Sequence, residues 1–161
     1  MILDIYTEQA FVLGDSIDSE RLHPASYFSL NAEKVKEGLF KGMPDSISEN
    51  FVEGSVIFGG TNFGCGSSRE VIVQSLILNG VKVIVAKSFS RIFYRNAINN
   101  GIFLIEQDFP ASFVEMSDLI EINFKECIIK NITKQKEINL NLNNTILEII
   151  KKNGESPYEF I

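Results

Sequence analysis

Two adjacent hydroxyls and a guanidinium follow a glycine-rich stretch near the middle of the chain. Residues 59–70 are Gly-Gly-Thr-Asn-Phe-Gly-Cys-Gly-Ser-Ser-Arg-Glu. Glycines let the backbone turn tightly and approach a ligand closely. The apolar run that follows predicts a helix, and the first N–H groups and the dipole of a helix favour an anion. Ser67, Ser68 and Arg69 therefore predict an anion site, for which both carboxylate and phosphate have to be considered.

Two phosphate-binding motifs fail at defined positions of this loop. A P-loop needs Gly-Lys-Ser or Gly-Lys-Thr, and the chain contains neither tripeptide. A dinucleotide fingerprint needs a third glycine where Arg69 stands. Because arginine binds a carboxylate through two parallel hydrogen bonds, a small carboxylic acid is favoured. A structural alternative stays open, in which Arg69 pairs with a nearby acid and the serines only cap the helix.

The composition limits the class of protein. The chain has 161 residues, a net charge of −6 and 45% hydrophobic residues, which predicts a single domain over residues 1–161. Its basic residues form no run, so we expect no nucleic-acid partner. The chain starts without a basic segment and contains no apolar stretch of membrane-spanning length. We therefore expect a cytoplasmic protein that does not bind a membrane.

Cysteine and histidine are too few for an ordinary metal or cluster site. Cys65 and Cys127 are far apart in sequence and belong to no Cys-x-x-Cys pair, so we expect no metal ligands in this chain. His23 is the only histidine. The sequence lacks the Gly-x-Ser-x-Gly elbow of many serine hydrolases, which favours a structural role for His23 over membership of a catalytic triad.

The elements around the glycine loop follow from the spacing of apolar residues. Three predicted strands, at 56–58, 81–86 and 102–105, alternate with predicted helices at 68–79 and 89–99. Their short connections indicate a parallel βαβαβ unit.

The flanking segments predict a sheet of mixed direction. Apolar and polar residues alternate in three later segments, 119–124, 127–132 and 137–141. Such strands usually pair antiparallel. The remaining predicted segments are a strand at 10–13, a long loop at 15–31, a short helix at 32–38 followed by a mobile connection to residue 50, and a closing helix at 146–152. The fold class is α/β, with a mixed sheet, a parallel centre and an added antiparallel β layer.

Three blocks of sequence resemble one known family. Residues 62–70 resemble the signature of the small subunit of 3-isopropylmalate dehydratase, which corresponds to the swivel domain of aconitase-like hydro-lyases. Residues 87–101 resemble a second block of that family, and residues 14–20 resemble its Gly-Asp-Asn-Ile-Asp-Thr-Asp. The resemblance covers nearly the whole chain. It implies a swivelling β/β/α domain and a hydro-lyase of leucine biosynthesis that interconverts 2- and 3-isopropylmalate by dehydration and rehydration.

The resemblance also implies that the active site is divided between two chains. A large subunit would carry a [4Fe–4S] cluster acting on the substrate hydroxyl, so this chain would bind no cofactor itself and would work only in a heterodimer or heterotetramer. Ser67 would be the base that removes the proton next to a carboxylate. Ser68, Arg69 and Gly66 would bind the carboxylate, and Glu20 would pair with a histidine of the large subunit.

One departure from the family pattern concerns the substrate. Residues Tyr27, Phe28, Ser29 and Leu30 stand where the family has Tyr-Leu-Arg-x, so an arginine is missing and the pocket wall is more apolar. Isopropylmalate suits such a wall through its branched alkyl group. Three alternatives stay open: another hydroxy diacid such as a methylated malate, a catalytically silent swivel protein that binds a carboxylate, and a nucleotide-binding module.

Overall fold

The computed structural model describes residues 5–67 and 69–142. Within them the chain forms seven strands: β1 (Ile5–Val12), β2 (Val56–Gly59), β3 (Val83–Ala86), β4 (Phe103–Glu106), β5 (Leu119–Asn123), β6 (Ile128–Asn131) and β7 (Lys136–Asn139). It also forms five α-helices: α1 (Ser19–Leu22), α2 (Ala32–Glu37), α3 (Asp45–Ser48), α4 (Glu70–Leu78) and α5 (Arg91–Asn99), with a 3₁₀ turn at Ala25–Tyr27. The helix predicted at 146–152 lies outside the described residues.

The strands form one sheet in the order β4-β3-β2-β1-β5-β6-β7. Strands β1 to β4 run parallel, and β2-α4-β3-α5-β4 is the predicted βαβαβ unit. Strand β1 is the junction, because Ala10 pairs with Val56 in a parallel register whereas Gln9 pairs with Leu119 in an antiparallel one. Strands β5 to β7 then continue antiparallel. The mixed sheet predicted from the sequence is therefore confirmed.

The two faces of the parallel strands pack on different layers. Successive side chains of a strand point to opposite faces. Ile57, Ile84 and Leu104 pack in one core with residues of α4 and α5. The neighbouring residues Phe58 and Val85 pack in a second core, together with antiparallel-strand residues Ile120, Ile122 and Ile129. The sheet therefore curls so that its antiparallel half covers the face opposite the helices.

Some boundaries differ from the sequence prediction. Strand β1 begins at Ile5 rather than at residue 10. Its first residues show the alternation of a strand with one buried face: Tyr6 and Ala10 are buried, whereas Thr7 and Gln9 are exposed. The 15–31 segment predicted as a loop contains α1 and the 3₁₀ turn, and α3 lies in the predicted connection. Helix α4 begins at Glu70, and extended Arg69 (φ −125°, ψ 140°) is its N-cap.

No helix within residues 5–67 and 69–142 has the length and apolar character needed to cross a membrane.

Candidate functional site

Three loops meet at the carboxyl edge of the parallel strands, the usual place for ligand sites in such sheets. They follow β1 (residues 13–18), β2 (residues 60–69, called the glycine loop below) and β3 (residues 87–90). The Gly64 N–H donates to the Ile17 carbonyl at 2.8 Å, and the Phe63 N–H donates to the Ser88 carbonyl at 3.0 Å. The glycine loop is thus hydrogen-bonded through its backbone to both neighbouring loops.

Two glycines allow the glycine loop to lie close to its neighbours. Gly64 and Gly66 have φ angles of +80° and +92°, which L side chains rarely adopt. A Cβ at Gly64 would overlap the Phe93 ring of α5. A Cβ at Gly66 would lie 3.2 Å from Ser19 Oγ, at the start of α1. The loop therefore passes between α1 and α5 with little room for side chains.

Three polar side chains brace the glycine loop from outside. The Ser90 hydroxyl donates to the Gly64 carbonyl at 2.7 Å, and Ser88 Oγ accepts from the Asn62 N–H at 2.8 Å. Asp15 Oδ1 accepts from the Thr61 N–H at 2.7 Å. Ser90, Ser88 and Asp15 were not among the predicted site residues. The available signal was their place inside the two family blocks at 14–20 and 87–101, directly after predicted strands.

Gly66, Ser67 and Arg69 are exposed at the outer end of the glycine loop. The Ser67 hydroxyl has no hydrogen-bond partner among the described residues, whereas Arg69 Cζ lies over the Phe28 ring, 4.9 Å from its centroid. Arg69 forms no ion pair with any acid in the described part of the chain. Of the structural alternative, the described residues show neither an Arg69–acid pair nor Ser67 as the helix cap, since Arg69 itself is the N-cap. Ser68 lies outside the described residues.

Glu20 lies on α1, which is attached to the glycine loop. The Ser19 N–H donates to the Cys65 carbonyl at 2.9 Å, and the backbones of Asp18 and Cys65 form a parallel bridge. The Asp18 side chain caps α1 by accepting from the Arg21 N–H. The Glu20 carboxylate is exposed and has a single long contact, 3.4 Å from the Ala25 N–H. Its carboxylate is thus free for a partner outside the described residues.

The segment predicted to set substrate specificity reaches the site through Phe28. Tyr27, Phe28 and Ser29 are half-buried, and Leu30 is fully exposed. The Phe28 ring stacks on His23, with ring centroids 5.4 Å apart. His23 itself is buried, and its Nε2 lies 2.8 Å from the Val35 carbonyl oxygen, so its role is structural.

An open groove of about 660 Å³ runs beside this segment and along α4. It is lined by Ser29, Leu30, Ala32, Val35, Glu70, Val71, Gln74, Ile77, Leu78 and Asn100. Ser67 and Arg69 do not line it, so the groove is a neighbour of the predicted carboxylate site and not the site itself.

The described part of the chain contains no group of three or more His, Cys, Asp or Glu side chains placed to hold a metal ion. Both cysteines are free and half-buried. Cys65 lies in the glycine loop. Cys127 packs against the second core, on the face of the sheet away from α4 and α5.

Comparison with known proteins matches this fold and this loop to one family. Residues 31–110, which include the glycine loop and the loop after β3, match the aconitase C-terminal domain. The 3-isopropylmalate dehydratase small subunit 1 of Thermotoga maritima is 37% identical over 148 residues, which cover 90% of this chain and 89% of the relative. The 3-isopropylmalate dehydratase small subunit of Helicobacter hepaticus is 40% identical over 153 residues, covering 91% of each chain.

A solved structure agrees with these sequence matches. The crystal structure of 3-isopropylmalate dehydratase from Methanocaldococcus jannaschii superposes with a TM-score of 0.82 at 32% identity, covering 97% of this chain and 93% of that one. The family resemblance and the α/β fold predicted from the sequence are thereby confirmed. The chain belongs to the family of 3-isopropylmalate dehydratase small subunits.

Proposed function

We propose that this chain is the small subunit of a heteromeric hydro-lyase that interconverts 2- and 3-isopropylmalate. The observation that carries the proposal is the exposure of both the Ser67 hydroxyl and the Arg69 guanidinium on the glycine loop. Relatives that match nearly the whole chain are named as small subunits of 3-isopropylmalate dehydratase. The chain supplies the base and the carboxylate-binding groups, and a large subunit supplies the rest of the active site.

Ser67 acts as the base that removes the proton next to a substrate carboxylate. A serine hydroxyl is a weak base, so the alkoxide needs stabilisation by nearby positive charge and N–H donors. Arg69 is two residues away, α4 starts at Glu70, and the backbone N–H groups of Gly66 and Ser67 have no acceptor among the described residues. A partner that covers this edge and excludes water strengthens all of these interactions.

Arg69 binds a carboxylate of the substrate, assisted by Gly66 and Ser68. Its Cζ lies over the Phe28 ring, 4.9 Å from the centroid, and a guanidinium can bind a carboxylate through two parallel hydrogen bonds. Because Arg69 forms no ion pair within the described residues, no acid of that part of the chain has to be displaced first. Glu20, exposed on α1, pairs with a histidine of the large subunit.

The [4Fe–4S] cluster of such an enzyme belongs to the large subunit. Cubane clusters are held by several cysteine thiolates. This chain has two cysteines, Cys65 in the glycine loop and Cys127 directly before β6, so its residues do not fit a cluster. The large subunit therefore has to bring the cluster to the carboxyl edge, where Ser67, Arg69 and Glu20 are exposed.

Reconstitution tests this function. The chain is mixed with a cluster-bearing large subunit from the same genome, and the interconversion of 2- and 3-isopropylmalate is followed. We expect turnover by the mixture and none by either subunit alone. A complex that turns over only another hydroxy diacid, such as a methylated malate, would show that the substrate is wrong. A stable complex that is inactive on every diacid would show that the chain is a silent swivel protein.

A further inference from the structure

We propose that Phe28 is a positioning residue that holds the Arg69 guanidinium ready for the substrate carboxylate. This inference rests on the proposed role of Arg69 as carboxylate ligand. The Phe28 ring contacts both Arg69, with Cζ 4.9 Å from the ring centroid, and His23, with centroids 5.4 Å apart and planes at 22°. Phe28 thus connects an exposed cation of the glycine loop to a buried ring.

The buried end of this stack is rigid. The His23 side chain is 1% exposed, and its Nε2 lies 2.8 Å from the Val35 carbonyl oxygen in α2. A carbonyl oxygen can only accept, so Nε2 carries the proton and donates. The Nδ1 atom is buried and has no hydrogen-bond partner among the described residues. A Cβ at Gly38 would overlap both the His23 ring and Tyr27 Cβ, so the backbone at Gly38 packs directly against these two side chains.

The exposed end of the stack would otherwise be poorly ordered. Arginine has many rotamers, and fixing them on binding reduces affinity. Arg69 is exposed and forms no ion pair within the described residues. Within the described residues, the contact with Phe28 is therefore the interaction that restricts the Arg69 guanidinium before the substrate arrives. A cation held over an aromatic ring keeps its in-plane donors free.

Side-chain relaxation of the isolated full-length chain tests the positioning without any need for activity. The probe is the ¹⁵N relaxation of the Arg69 Nε–H group, with exposed Arg95 as the reference. We expect Phe28→Leu to make the Arg69 side chain as mobile as Arg95, and Phe28→Tyr to keep it ordered. Equal Arg69 mobility in the original chain and in Phe28→Leu would overturn the proposal.

Kinetics of the reconstituted complex test the consequence. We expect Phe28→Leu to lower kcat/KM for isopropylmalate five- to tenfold, with a rise of KM as the larger part, and Phe28→Tyr to restore the original KM. In an Arg69→Gln background, Phe28→Leu should have little further effect, because the cation that it positions is gone. An equal rise of KM in both backgrounds would mean that Phe28 contacts the substrate directly, which contradicts a positioning role.

The two tests separate failure of this inference from failure of the proposed function. A complex that is inactive on isopropylmalate rejects the function, whereas the relaxation of Arg69 still measures whether Phe28 orders it. Melting temperatures of Phe28→Leu and Phe28→Tyr show whether either variant disturbs the His23 packing. An ordered Arg69 that binds no carboxylate in the complex would leave Phe28 a structural neighbour only, and so overturn the inference.

Discussion

Asn131 in β6 and Ser67 in the glycine loop are both polar residues beside a turn, but their surroundings are opposite. Asn131 is fully buried in the antiparallel half of the sheet. Its Nδ2 donates to the Phe113 carbonyl at 2.8 Å and to Asp118 Oδ2 at 2.7 Å, and its Oδ1 accepts from the Lys134 N–H at 3.0 Å. Ser67 is exposed and has no partner among the described residues.

This difference separates polar groups that hold the fold from polar groups that can serve a ligand. A buried polar group has to be paired inside the protein, because leaving it unpaired costs free energy. Asn131 meets this requirement and has no capacity left for a substrate. Ser67 and Arg69 are exposed on a loop that Ser90, Ser88 and Asp15 keep in place. The same domain thus builds a rigid support and an open site from similar side chains.

The largest expected effect is on Ser67. Ser67→Ala removes the proposed base, so kcat of the reconstituted complex should fall at least about a thousandfold, equivalent to about 4 kcal/mol in the barrier. Because the hydroxyl has no internal partner, the free energy of unfolding should change by less than about 0.5 kcal/mol. Turnover assays and urea melts of the isolated chain measure the two quantities.

Ser46→Ala is the matched control, since Ser46 is an exposed serine of α3, away from the glycine loop. It should change neither quantity. Normal turnover by the Ser67→Ala complex would rule out Ser67 as the base. Ser67 would then no longer be an example of a polar group kept for a ligand.

For Asn131, the buried residue of the pair, we expect the opposite: a loss of stability without a loss of kcat. Asn131→Ala leaves the Phe113 carbonyl and the Lys134 N–H without their partner and creates a small cavity, so unfolding should become easier by about 2–4 kcal/mol. The kcat per folded complex should stay unchanged. Urea denaturation measures the stability, and turnover at a temperature well below the melting transition measures the catalysis.

Asn139→Ala is the corresponding surface change, because Asn139 is exposed on the edge strand β7. We expect it to alter stability by less than about 0.5 kcal/mol. If Asn131→Ala cost no more than Asn139→Ala, the buried network would contribute little to the fold and the contrast with Ser67 would lose its physical basis.

The same contrast explains how much of the fold could be predicted from the sequence. The strands and helices of the βαβαβ unit are apolar segments that can be recognised from local periodicity. Accordingly, β2, β3, β4 and α5 all lie within two residues of their predicted ranges. Helix α1 was missed because it has only four residues. It is held by the Asp18 cap and by the bond from the Ser19 N–H to the Cys65 carbonyl, which is a contact between distant parts of the chain.

The candidate site divides in the same way. The hydroxyl and guanidinium of the glycine loop could be found from residue types and spacing within one short segment. The contact of Arg69 with Phe28 and the brace from Ser90 to Gly64 could not, because each joins residues from different loops. Such pairs become visible only when the parallel strands bring their carboxyl ends to one edge. Helix α4 starts two residues later than predicted, at Glu70, because Arg69 is extended and is its N-cap.

Glu20 offers the smallest and most selective test of the comparison, because its carboxylate is exposed yet has one weak internal contact, 3.4 Å from the Ala25 N–H. Glu20→Gln keeps the shape and removes the charge. Stability should stay within about 0.5 kcal/mol. Turnover of the complex should fall about tenfold, equivalent to about 1.4 kcal/mol, because a histidine of the large subunit loses its anionic partner.

The pH profile of the complex distinguishes this role from a general loss of surface charge. A histidine beside a carboxylate keeps its proton to higher pH, so removing the charge of Glu20 should shift the histidine limb of the rate profile to lower pH. Glu33→Gln, an exposed acid in the first turn of α2, is the control and should shift nothing. An unshifted limb in Glu20→Gln, or an equal shift in Glu33→Gln, would place Glu20 with the ordinary surface acids and rule out its pairing with a histidine of the large subunit.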